Sequence, residues 1–98
     1  MHTLEAIRII ESEIAVAAEM YLVPVDDILA PTHVSAAAAD ARQQVMAHAR
    51  EAGCSSVQIG HFLGRDHTTV LHGIAAHQRD CPSLPVFKST RAQGGATT

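Results

Sequence analysis

Pro24, Pro31, Gly53 and Gly64 punctuate the first two thirds of this chain, and between them apolar residues recur at helical spacing. Proline lacks an N–H and clashes with the preceding turn, and glycine readily ends a helix. No segment shows a long alternation of β-branched residues. The chain therefore reads as all-α: a compact domain of about five helices over residues 1–80, then a disordered tail over 81–98. Its 98 residues make one domain at most, and with three aromatics and no Trp the core must be built from Ala, Ile, Leu and Val.

Leu4, Ile7, Ile10, Ile14, Ala17, Ala18 and Tyr21 fall on one face of a first helix, with Thr3 as its N-cap and Pro24 as its stop. "VDDIL", 25–29, is a short second helix stopped by Pro31. A third helix runs over 36–52, with Ala41, Val45, Ala49 and Ala52 inward and Gly53 as a C-terminal cap. Ser55 and Gln58 form a capping box for a fourth helix, whose apolar contacts are Val57, Ile59, Phe62 and Leu63. Gly64 breaks it, Asp66 caps a fifth helix, and this runs from His67 to about Arg79.

The formal charge of −3 argues against a general nucleic-acid binder, but it conceals an asymmetry. Residues 1–34 carry six acids and one base, and residues 35–98 carry four acids and six bases. An anion-binding surface is expected in the second part. The start "MHTLEAIRII" has no signal-peptide pattern, and no apolar run approaches a membrane span. A cytoplasmic protein with reduced Cys54 and Cys81 is expected, with a disulfide between them as the alternative.

Helices four and five are short and joined by a tight glycine turn, which is a helix-turn-helix pattern. If Asp66 caps helix five, His67, Thr68 and Thr69 occupy a first turn rich in free N–H groups, a setting that attracts phosphate. Thr68, Thr69 and His72 fall opposite Val70, Leu71 and Ile74 on the helical wheel, and small Gly73 and Ala76 beside them would permit close approach to a groove. Threonine offers a hydroxyl and a methyl to base edges, and Arg65 could reach a phosphate.

"GRDHTTVLH", 64–72, resembles the signature of the C-terminal helix-turn-helix DNA-binding domain of the bacterial replication initiator DnaA. The likeness continues in order and spacing through "ARQQVMAHAREAGCSSVQIGHFLGRDHTTVLHGI", 41–74, and covers about residues 7–80. It implies a domain that grips double-stranded DNA at a short asymmetric box. By position it makes Asp66, His67 and Thr68 base readers, and Arg42, Gln43, Arg50 and Thr69 phosphate contacts. Three departures stand out. The family's basic loop before the third helix has no counterpart, since residues 30–41 contain no Lys or Arg. Leu63 replaces one glycine of the family's double-glycine turn. No nucleotide-binding GxxxxGK[ST] loop is present in the sequence, so a reader without ATPase activity is expected.

Other chemistries fit less well. His67, His72 and His77 are five apart and share no helix face, so no metal site is expected, and no cofactor. Asp66, His67 and Thr68 resemble a catalytic triad only by inventory, and Asp66 is better used as a cap, so no enzyme is expected. His48 and His61 read as polar-face residues. On helix one, Ile9, Val16 and Met20 form a second apolar stripe, flanked by Glu5 and Glu13. Two readings stay open for it: scattered surface residues, or a protein interface for a homodimer or for the replication initiator machinery. The second supports an alternative function, a regulator that keeps the fold and acts by binding proteins.

Overall fold

The computed structural model describes residues 2–80. It contains five helices: α1 (Thr3–Tyr21), α2 (Val25–Leu29), α3 (Ala36–Glu51), α4 (Ser56–Leu63) and α5 (His67–Asp80). The expected tail, and Cys81 with its disulfide, lie outside the described residues.

The helix ends follow from local chemistry. His2, not Thr3, caps α1: its Nδ1 accepts the N–H of Leu4 at 3.1 Å. The helix stops before Pro24, at Tyr21, because Leu22 turns left-handed (φ 55°). Pro24 instead opens α2. Ser35 caps α3 through the N–H of Ala38. At the other end Ala52 leaves the helix, and Gly53 (φ 113°) completes a Schellman motif. In that motif the N–H of Gly53 reaches the Arg50 carbonyl, and that of Cys54 reaches the Ala49 carbonyl. The capping box of Ser55 and Gln58 at α4 is fully formed.

Helices α1 and α3 form the central pair. They run antiparallel, as three contacts show. The Cys54 thiol approaches the Ala6 carbonyl, His48 Nδ1 lies 3.3 Å from Glu13 Oε1, and Gln44 Nε2 lies 3.2 Å from Met20 Sδ. The core between them holds Ala6, Ile10, Ile14, Ala17, Ala41, Val45 and Ala49, joined by Ile28, Ile59, Leu63 and Val70 from the other helices. Alanines at Ala17, Ala41 and Ala49, all fully buried, let the two backbones approach closely. Four residues expected inside are exposed: Leu4 and Val57 in the first turns of α1 and α4, Ala52 where α3 has already ended, and Leu71 on the outer face of α5.

Helix α5 packs alongside α3 and runs in the same direction. Arg42 lies near Arg65, Met46 abuts Gly73, and the rings of His48 and His77 meet edge-on with centroids 5.6 Å apart. Gly73 is therefore not on the outer side, as its wheel position suggested. A Cβ there would collide with Met46 Sδ, so its smallness serves the α3–α5 contact. His77 is 4% exposed and belongs to the same inner face. His48 is half-buried, and His61 is exposed.

Candidate nucleic-acid interface

The turn between α4 and α5 is held in three ways. Gly64 takes φ 71°, where most side chains are strained, and the N–H of Arg65 returns to the Gly60 carbonyl at 2.8 Å. Gly60 is buried, and a Cβ on it would collide with the carbonyl of Arg65. The family's second glycine, replaced here by Leu63, is not needed for this geometry. Leu63 sits in helical conformation at the end of α4 and is buried in the core.

Asp66 then starts α5. Its Oδ1 accepts the N–H of Thr69 at 2.8 Å. Hydrogen bonds from the Thr69 backbone and hydroxyl hold its carboxyl below the usual aspartate range, so it stays ionised. His67, Thr68 and Thr69 follow, all exposed on the first turn. The backbone N–H groups of His67 and Thr68 precede the first intrahelical bond of the helix, that of Val70 to the Asp66 carbonyl, and the Thr68 N–H also interacts with the Asp66 carboxylate.

Beside this turn, a groove of about 360 Å³ runs between α3 and α5. Its walls include Arg42, Gln43, Arg65, Thr69, His72 and Arg79, and no carboxylate among the described residues. Four of the five expected phosphate contacts therefore share one surface; Arg50 is exposed further along α3 and lies outside the groove lining. Arg79 is the charged lining residue that the sequence reading did not assign to the site, and His72 was placed on that side of α5 without a role. Arg79 stood at the expected helix end, where a cation usually serves the helix dipole alone.

Two of the arginines also hold the fold. Arg42 donates to the carbonyls of Ile28 and Asp27, and Arg65 to those of Leu63 (2.7 Å) and Ala30 (2.7 Å). Carbonyl acceptors leave the positive charge uncancelled. Burial and the neighbouring Arg65 both pull the pKa of Arg42 downward, as expected of a guanidinium that is partly desolvated beside another cation.

Residues 10–76 match the family model of the bacterial DnaA protein helix-turn-helix. The chain belongs to that family. Searches of curated proteins and of solved structures give no match. The DnaA helix-turn-helix is a DNA-binding domain associated with replication initiation, not a catalytic one. The matched span takes in most of α1 and reaches the third turn of α5, so the whole α3–α5 groove except Arg79 falls within it. In this DnaA-type domain His33 and Asp40 are both exposed, in the segment where the sequence reading noted the missing basic loop.

Of the second stripe on α1, Val16 and Met20 are exposed, while Ile9 is half-buried against the core. The candidate protein interface is thus reduced to two residues. No helix among the described residues is long and apolar enough to cross a membrane.

Proposed function

We propose that this chain reads a short DnaA-box-like site in double-stranded DNA, in replication initiation or its regulation, and does so without ATPase activity. The observation that carries the reading is the juxtaposition of the exposed His67–Thr68–Thr69 turn with a groove containing three arginines and, among the described residues, no carboxylate. The first turn of a recognition helix contacts base edges in the major groove, while cations beside it hold phosphates and fix the register. His67 and Thr68 are the proposed base readers, with Asp66 both capping the helix and facing the bases. Arg42, Gln43, Arg50, Arg65 and Thr69 are the proposed phosphate contacts. DNA binding of this kind places the protein in the cytoplasm, on the nucleoid.

The test is a binding titration against a duplex carrying a DnaA box and a scrambled duplex, repeated across salt concentrations. Four or five phosphate contacts predict a log–log salt slope of about −4, with tighter binding to the box. Equal binding to both duplexes would remove the site-specific reading. A slope near zero would remove DNA altogether.

The exposed Val16 and Met20 favour a second reading, in which α1 contacts a second copy or the replication initiator machinery. Molecular mass in solution, for the chain and for a Val16→Ser, Met20→Ser variant, distinguishes the dimer from a monomer.

A further inference from the structure

The cations of the groove are not equivalent. Arg42 and Arg65 donate to four backbone carbonyls and tie the region around α2 to the start of α5. Arg79 lines the far end of the same groove, is exposed, and has no hydrogen bond or ion pair with any described residue.

Its position along α5 gives that freedom a direction. Thr68, His72, Ala75 and Arg79 follow one another at steps of four, three and four residues, and all four are exposed. At 3.6 residues per turn they lie within about 60° of one another, and Arg79 falls about 20° from Thr68, so the two share a stripe. Eleven residues separate the two, or about 16 Å along the axis. The major groove is about 12 Å wide and 8.5 Å deep. With Thr68 at the base edges, Arg79 is carried clear of the groove floor to the level of the sugar–phosphate rim. The intervening Ala75 leaves the path between them open.

We propose that Arg79 is a phosphate contact on the flank of the bound site, extending the interface along the full length of α5. The contact rests on the DNA-binding reading above, and it lengthens the stretch of duplex the domain covers without adding any base specificity. A helix-dipole role alone would give Arg79 an effect on stability and none on DNA.

The test compares the full chain with Arg79→Ala and Arg79→Lys on box and scrambled duplexes, by fluorescence anisotropy between 50 and 200 mM salt. One phosphate contact contributes about 0.9 to the salt slope, which is about eightfold in affinity at 0.1 M salt. Arg79→Ala should lose about that factor on both duplexes and flatten the slope by about one, and Arg79→Lys should recover most of it. Trimming one flank of the box duplex should weaken the wild-type chain and leave Arg79→Ala unaffected. An unchanged slope in Arg79→Ala, with only its melting temperature lowered, would overturn the contact while the DNA-binding reading stands. Failure of the wild-type chain to bind either duplex would overturn both.

Discussion

The Nε of Arg42 donates to the carbonyl of Ile28 at 2.7 Å. A residue in the first half of α3 thereby closes the C-terminal end of α2, and Nη2 adds the carbonyl of Asp27 at 3.1 Å. Helix C-termini leave carbonyls without partners, and a guanidinium serves them well because its donors form a rigid fork. The same side chain lines the groove assigned to DNA.

Arg42 and Arg50 should therefore behave differently when truncated. Arg42→Ala strands two carbonyls and should lower stability by about 1–2 kcal/mol, besides flattening the salt slope of DNA binding. Arg50→Ala, at an exposed position, should flatten the slope by about one unit and leave thermal unfolding unchanged. Identical unfolding curves for the two variants would show that the α2 clamp is energetically idle.

His67→Ala and Thr68→Ala test the reading turn. Each should weaken binding to the box by about 1–3 kcal/mol and barely alter binding to random duplex. Titrations of both duplexes check this, and parallel losses on the two would mean that neither residue touches a base.

The glycines of the turn should rank by what surrounds them. Gly60→Ala drives a methyl into the Arg65 carbonyl and should cost about 1–3 kcal/mol in urea unfolding. Gly64→Ala has open space but must hold φ 71°, and should cost about 1 kcal/mol. A larger loss at Gly64 than at Gly60 would contradict the packing seen here.

The Asp66 cap makes a pH prediction. Its pKa is lower in the folded chain than in the unfolded one, so the capping carboxylate stabilises the fold above the ordinary aspartate range. That contribution is lost as pH falls from about 4 downward through the folded value. Asp66→Asn keeps a capping oxygen without a titrating charge and should unfold less steeply across that acid window. Unfolding midpoints that fall in parallel for both chains would show that the cap does not contribute.

Residues 30–41, the loop after α2 with the first turns of α3, set a further expectation. Asp40 and His33 are exposed there, and restoring positive charge with Asp40→Arg or His33→Arg should tighten binding to an A·T-flanked box, most at low salt. Unchanged affinity in both variants would place this segment away from DNA.

What the sequence showed of these features depended on how each is held. Caps and turns are local, so Gly53, Ser55 and Gly64 could be placed from a few neighbouring residues, whereas Ser35 was not singled out and His2 took the place expected for Thr3. The "GRDHTTVLH" stretch placed the exposed first turn of α5, the proposed reading turn, through its likeness to the family. The inner face of α5 was harder to see. Val70, Gly73 and His77 form it, and a glycine and a histidine give no hydrophobic signal. Ala6 is buried under α1 and was missed likewise, because its fitness lies in small size more than in hydropathy. The double duty of Arg42 and Arg65 joins positions 14 to 35 residues apart, a distance over which spacing carries no information.

Met46 is buried with its sulfur in the space that a side chain at Gly73 would occupy. An oxidant that reaches this thioether adds a polar oxygen at the contact between α3 and α5. The sulfoxide would wedge α5 away from α3 and widen the cationic groove. Met46 itself lines that groove, so peroxide should change the shape of the α3–α5 surface, and reduction of the sulfoxide should restore it.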